Sequence, residues 1–293
     1  MRADDHRKIA KSYLKKFTGL KTIPSVAARL VTMMNDDSSS LQDFEAVIKV
    51  DPTLVLRLLK LVNSAYFSLR TNIKSISEAV VYIGVDNLRN LVVLDALKHL
   101  FQKNSDSDIF SRKRLWLHSS VTGICCQMVS ERIFVQKGED AFLCGILHDI
   151  GLIVEDQVAP DTFYEFCKTF DPEIHTLTDH EQLVMGTDHP TISYFLTREW
   201  GLNSDICQGI KLHHKSLDPV EPGSLAGILQ IAEYIIARLG YDAFPEITPC
   251  LSSPQLLVHM KKNIMAYRAI VDDLPDEIRR AREIYALEEN GDG

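Results

Sequence analysis

None of the six cysteines (Cys125, Cys126, Cys144, Cys167, Cys207 and Cys250) forms a Cys-x-x-Cys pair, and several lie inside apolar runs. Free cysteine in such runs behaves as a small hydrophobe, so a disulfide framework is excluded and a reducing compartment is expected. Long hydrophobic runs are also missing. No segment approaches the roughly 18 apolar residues that a bilayer span requires, and the N-terminal stretch MRADDHRK has no apolar signal core. The expectation is a cytoplasmic protein without a membrane association. Positive charge is in deficit, with 32 Lys and Arg against 40 Asp and Glu and a net charge of −8. A phosphate backbone repels such a chain, so nucleic-acid binding is disfavoured. Asp51 to Tyr66 could pass for part of a helix-turn-helix, but its short, proline-opened helix reads better as core packing. Two locally basic stretches, Arg7 to Lys21 and Arg112 to Arg114, are expected to be solvated helix faces. No strand alternation of comparable strength to the helical pattern and no internal repeat are present.

What the chain has is helical periodicity across 293 residues of 45% hydrophobic composition, enough to bury a large core. Ser25 caps a predicted helix with Val26, Leu30, Met33 and Met34 on one face, and Asn35 to Ser40 reads as a turn. A helix over Leu41 to Lys49 follows. Asp51-Pro52 then opens another, with Asp as cap and Pro in the first turn. Gly84 separates helices over Ser75 to Tyr82 and Asp86 to Leu100, and the polar Asn104 to Asp108 marks a softer boundary. Breaks are expected at Lys137-Gly138, Pro160, Asp171-Pro172, Thr187 to Pro190, Gly201 to Ser204, Leu217 to Gly223 and Gly240 to Pro249. Leu256 to Tyr267 and Glu277 to Leu287 read as closing helices, and Glu288 to Gly293 as a frayed tail. The expected fold class is all-α. Its parts are residues 1–105, an N-terminal helical subdomain; 106–245, a helical core; and 246–293, closing helices and tail.

Leu147-His148-Asp149-Ile150-Gly151 is the richest motif. It lies between His118 upstream and His189, His213 and His214 downstream. Neutral imidazole and carboxylate together suit Zn²⁺, Mn²⁺ or Fe. Adjacent residues on a helix point about 100° apart, so His148 and Asp149 cannot chelate one ion as an i, i+4 pair would. They can address two adjacent ions, with the carboxylate as a bridge, and His213-His214 can do the same. Glu233 can supply a further carboxylate. Such a centre activates water and clamps phosphoryl oxygens. His6, His99, His175, His180 and His259 read as ordinary packed or solvated residues.

A second set of motifs fills the first half: Ile23-Pro24, Val50-Asp51-Pro52, Leu58-Leu59-Lys60-Leu61-Val62-Asn63-Ser64-Ala65, Ser75-Ile76, Ala79-Val80, Ile83-Gly84 and Leu88-Arg89-Asn90-Leu91. With these the chain resembles the HDOD family, the HD-related output domains of bacterial signalling, from about Leu20 to Leu239. The half from His118 to Glu233 looks like the HD superfamily core. The resemblance implies an N-terminal helical subdomain packed on an HD-like bundle and a regulatory role in signal transduction. Many members have lost their metal ligands. By comparison with the related HD-GYP phosphodiesterases, His118, His148, Asp149, His189, His213 and His214 occupy matching positions, and Glu233 stands in place of an aspartate.

The departures from those enzymes are equally specific. Leu152 replaces a catalytic lysine, and leucine donates no hydrogen bond to a phosphate. Lys215 replaces a glutamate, and Ser216-Leu217-Asp218-Pro219 stands where a Gly-Tyr-Pro signature would lie. Arg114, one turn before His118, replaces the carboxylate that some trinuclear relatives use for a third metal. The leading expectation is a non-catalytic signalling module with a dinuclear divalent-metal site, a phosphate-containing ligand at that site, and an unidentified signalling protein as partner. The alternative is a metal-dependent phosphohydrolase acting on a nucleotide or other phosphoester, with Asp149 at its catalytic centre.

Overall fold

The computed structural model describes residues 3–17, 29, 33, 41–64, 67, 69–101, 109–215, 219–244 and 253–285. Among them there are helices and turns and no strand. The expectations for Ser25, Val26, Leu30, Met34 and the turn to Ser40 lie outside the described residues. So do those for Ile23-Pro24, Ala65, Asn104 to Asp108, Ser216 to Asp218 and Glu288 to Gly293.

The first half follows its punctuation. Helix α1 spans Ala3–Lys16, α2 Leu41–Ile48, α3 Pro52–Val62 and α4 Ile76–Phe101. Asp51 caps α3, its Oδ1 accepting from the Leu54 amide at 3.1 Å. Gly84, with φ 81° and ψ 162°, breaks the helical path inside α4 at the expected place. Asn63 ties the loop after α3: its Nδ2 donates to the carbonyls of Leu59 and Ile73, both at 2.8 Å, and its Oδ1 accepts from the Ile73 amide at 2.7 Å. α3 is held to α4 by Arg57, whose Nε donates to Asp95 at 2.9 Å. Helix α1 packs elsewhere, against later helices of the second half.

The second half is built around α5, Arg112–Ile133. It is buried on nearly every side, which explains its small residues: Ser119, Ser120, Thr122, Gly123, Cys125 and Cys126 let neighbours approach closely. Helix α6, Glu139–Leu147, crosses it where Gly145 meets Gly123; a Cβ on Gly145 would lie 2.7 Å from the Gly123 Cα. Then come α7 (Ile150–Val158), α8 (Pro160–Thr169), α9 (Leu177–Val184), α10 (His189–Glu199), α11 (Ser204–Leu212), α12 (Leu225–Arg238), α13 (Pro254–Lys262) and α14 (Ile264–Tyr285). α1 lies on α7 and α10 through buried Ala10, Leu14 and Phe17. Its Tyr13 hydroxyl donates to the Met185 carbonyl at 3.2 Å.

Two expectations are corrected. The closing helices do not part between Tyr267 and Glu277. The break falls at Asn263, whose side-chain amide donates to the His259 carbonyl at 2.9 Å, and α14 runs unbroken through Pro275. An internal proline costs a helix about 3 kcal/mol. Here Tyr267, Ile270, Leu274, Ile278 and Ala281 form one buried stripe across it, packed on α5, and that burial outweighs the lost bond. The second correction concerns Arg112, which does not sit on a solvated face. It is 4% exposed, and its Nε donates to Asp156 at 2.6 Å and its Nη1 to the Leu100 carbonyl at 3.2 Å. Among the described residues no helix is long and apolar enough to cross a membrane.

Candidate metal centre

The candidate ligands sit at helix ends more than within helices. His148 is the C-cap of α6, and Asp149, with φ −99° and ψ 9°, is the N-cap of α7. The pair therefore lies on the corner between two short helices, not on one continuous helix. His189 opens α10, with Asp188 as its N-cap and Pro190 in its first turn. His213 is the C-cap of α11, and His214 follows it. Only His118, in α5, and Glu233, in α12, lie inside helices. The C-termini of α6 and α11 both end at this point, and their dipoles favour positive charge there.

Gly151 explains how the corner reaches α10. A Cβ on it would stand 2.8 Å from the His189 Cα and closer still to the His189 carbonyl oxygen. Its amide donates to Ser193 Oγ at 2.9 Å. Only glycine permits this approach, and it places the Asp149 carboxylate beside His189.

All seven residues converge. On one side, His118 Nε2 lies 3.4 Å and His148 Nε2 3.2 Å from Asp149 Oδ2. Glu233 Oε1 faces the same two nitrogens at 3.4 and 3.3 Å. On the other side, His189 Nε2 lies 3.1 Å and His213 Nε2 3.5 Å from Asp149 Oδ1. Asp149, His189, His213 and His214 form one group whose donor atoms lie within 4.8 Å of one another, and His118, His148 and Asp149 form a second. Asp149 belongs to both. His118, His148, Asp149, His189 and His213 are buried; Glu233 is partly accessible and His214 is exposed.

The ring orientations are set from behind. Nδ1 of His118 donates to the Tyr241 carbonyl at 2.8 Å, Nδ1 of His148 to Gly145 at 2.7 Å, and Nδ1 of His213 to Ile210 at 2.5 Å. His189 Nδ1 donates to Glu181 at 2.7 Å. A carbonyl oxygen only accepts, so the proton of each neutral ring sits on Nδ1 and the Nε2 lone pair points inward. His118 and His148 Nε2 then face each other at 3.1 Å, and His189 and His213 Nε2 at 3.3 Å. A proton shared within each pair, or a cation lodged between the nitrogens, would satisfy this arrangement. Asp149 Oδ1, buried and without a hydrogen-bond partner, points the same way. The donor set fits divalent metal.

The electrostatics agree. Burial alone would raise Asp149, but the imidazoles of His148 and His189 hold its carboxyl well below the usual range. Burial likewise opposes ionisation of Glu233, yet His118 and His148 bring it down to about 2. Burial pulls His148 and His189 down. Asp149 and Glu233 outweigh it at His148, pushing it well up; Glu181 and Asp149 do so at His189, to about 10. Burial leaves His213 lowered and neutral. Metal uptake here would displace protons from His148 and His189.

Sequence reasoning missed what stands behind the site. Glu181 is fully buried and accepts from both Nδ1 and the backbone amide of His189. Glu155, also fully buried, lies against the Glu181 carboxyl. Neither has a spacing that marks it in the sequence. Leu152 is fully buried in the core, and Arg114 donates to the Asp242 carbonyl at 2.7 Å. His6, His175, His180 and His259 lie outside the cluster, with His180 bonded to Thr169.

Among the described residues, an all-helical bundle that gathers five histidines and a shared aspartate from several helices at one point has the pattern of an HD-type protein. More narrowly, the chain belongs to the HDOD domain family, whose model matches residues 20–216. It is 27% identical over 210 residues to an uncharacterised protein of Treponema pallidum (strain Nichols), an alignment covering 71% of this chain and 40% of that protein. The chain thus spans less than half the length of that curated relative. In fold it is similar to a candidate phosphohydrolase from Shewanella amazonensis SB2B (TM-score 0.68, 24% identity, covering 92% of this chain and 98% of the other). It is also similar to a candidate signal-transduction protein from Marinobacter aquaeolei VT8 (TM-score 0.72, 18% identity, covering 97% of this chain and 65% of the other).

Proposed function

We propose that this chain is a regulatory HDOD module whose centre binds two divalent cations and, with them, a phosphate-bearing ligand, and whose output is contact with a separate signalling protein. The observation that carries the reading is the inward aim of four Nε2 atoms onto the two oxygens of one buried aspartate. His118, His148, Asp149 and Glu233 would hold one cation, and Asp149, His189, His213 and His214 the other. Imidazole and carboxylate suit Mn²⁺, Fe or Zn²⁺. A bound pair would lower the pKa of its water and clamp phosphoryl oxygens. The protein's own part is orientation. The carbonyls of Tyr241, Gly145 and Ile210 fix three tautomers, and Glu181 fixes the fourth. Against turnover stands α7, which presents no lysine: Leu152 is sealed in the core, where it can neither bind phosphate nor protonate a leaving oxygen.

A second reading is a metal-dependent phosphohydrolase, favoured by the complete donor set and by the Shewanella protein of like fold. Metal analysis and a phosphodiester screen with Mn²⁺ or Fe²⁺ separate the two. The regulatory reading expects close to two metal equivalents and no turnover in the usual enzyme range of about 1–10³ s⁻¹. Turnover in that range on a nucleotide or cyclic dinucleotide overturns it in favour of the hydrolase. Protein that takes up no metal removes both readings.

A further inference from the structure

Helices α6 and α11 run side by side, in the same direction, from a shared starting point to the metal centre. At their beginnings, Asn203 Nδ2, from the N-cap of α11, donates to Asp140 Oδ2 in the first turn of α6 at 3.0 Å. Midway, the Cys144 thiol contacts the Ile206 carbonyl at 3.9 Å, and a Cβ on Gly209 would lie 2.9 Å from the same sulfur. At their ends the His148 and His213 rings lie 5.0 Å apart, centroid to centroid. Residue 140 thus meets 203, 144 meets 206 and 209, and 148 meets 213. The helices are parallel and in register, each nine residues long, or about 13.5 Å.

The shared starting point is held from the first half of the chain. Arg89, in α4, donates from Nη2 to Asp140 Oδ1 at 2.9 Å and from Nε to Asn90 Oδ1 at 3.0 Å. Asn90 Nδ2 donates to the Glu139 carbonyl, at the first residue of α6, at 2.9 Å. The Arg89 side chain is buried while Asp140 is partly open to solvent, so the guanidinium is held from within and reaches the carboxylate at the edge of the packed region. Arg89 and Asn90 belong to the Leu88-Arg89-Asn90-Leu91 motif, to which the metal site itself gives no role. Asp140 therefore takes one bond from α4 and one from α11, on separate oxygens.

We infer that Arg89 is a positioning residue for the metal centre: through Asp140 and Asn203 it sets the register of α6 against α11, and with it the separation of His148 from His213. One residue of slip along a helix is 1.5 Å, whereas metal–donor distances tolerate about 0.2 Å, so a small fraction of a residue is enough to disturb the centre. Coupling between sites is reciprocal. A shift of α4 changes cation affinity, and cation binding changes what the first half presents to a partner. The inference rests on the metal reading above.

The test compares wild type with Arg89→Ala, Asn203→Ser and Leu58→Ala. Ser at 203 keeps an oxygen to cap the Ile206 amide but loses the amide donor to Asp140, and it serves if Arg89→Ala fails to fold. Leu58, fully buried in α3, is a destabilising control away from the junction. Mn²⁺ affinity is measured by titration, and the magnetic coupling of the bound pair by electron paramagnetic resonance. Junction variants are expected to lose about 10–100-fold in affinity, the range for residues that support ligands from behind, and to show an altered coupling signal. Leu58→Ala keeps the wild-type signal. Wild-type affinity and signal in both junction variants overturn the inference while leaving the metal reading intact. Equal changes in all three variants overturn it as well. No Mn²⁺ uptake by wild type refutes the metal reading itself and removes the inference with it.

Discussion

Gly151 has no side chain to offer a metal, yet Gly151→Ala should damage the metal centre as severely as removing a ligand. The added Cβ would lie 2.8 Å from the His189 Cα, and ordinary contact begins near 3.4 Å. The His189 carbonyl oxygen is nearer still, so backbone at His189 or Gly151 must move by at least about 0.6 Å, three or more times the roughly 0.2 Å that metal–donor distances allow. Neither side is a flexible chain end, since both are backbone at the starts of α7 and α10. Overpacking of this kind costs about 1–3 kcal/mol, which for a domain of this size lowers Tm by roughly 2–4 °C per kcal/mol. The assay is thermal unfolding with and without Mn²⁺, together with Mn²⁺ titration. Gly151→Ala should lose most of the metal-dependent rise in Tm, beyond its loss of intrinsic stability. Gly138→Ala is the control, because there the new Cβ meets only the side chains of Glu131 and Gln127. If Gly151→Ala binds Mn²⁺ as wild type does, the packing argument for the corner is wrong.

Three further outcomes follow from the same contacts. Glu181→Ala frees the His189 ring and should weaken metal binding about 10–100-fold, read by titration; unchanged affinity would mean the ring is oriented by something else. Glu155 is held well above the usual carboxylate range, first by burial and then by Glu181 and Asp188. The folded acid keeps a proton that the unfolded chain releases, so stability falls as pH rises above about 4.5 toward the raised value. Glu155→Gln removes that slope and should gain stability over wild type at about pH 8 more than at about pH 4 in denaturant unfolding; parallel pH profiles would refute the assignment. Arg112→Ala removes the charged bond to Asp156 and the bond to the Leu100 carbonyl and should cost about 1.5–3 kcal/mol in denaturant unfolding; a loss near zero, as for a solvated arginine, would refute the buried reading.

The sequence revealed the site better than it revealed the site's supports. The convergence of His118, His148, Asp149, His189, His213, His214 and Glu233 was legible because a candidate ligand set must be drawn from particular residue types, and their order along the chain survives folding. Asp51-Pro52, Gly84 and Pro160 were legible because caps and breakers act on their own backbone. Glu181 was not, since its role depends on α9 lying against the start of α10. Arg112 was misread for the same reason: its counter-charge, Asp156, is 44 positions away. Pro275 breaks a helix in isolation, and only the buried stripe against α5 keeps α14 whole. The Arg89–Asp140–Asn203 junction joins three helices that no local pattern connects.

The account depends on a pair of cations sharing Asp149. Anomalous diffraction from crystals grown with Mn²⁺ tests this most directly. It should show two peaks roughly 3.5–4 Å apart, one beside His118 and His148 and one beside His189 and His213, with an Asp149 oxygen on each. Crystals with no anomalous peak at Asp149, and with the four imidazoles still facing one another, would contradict it.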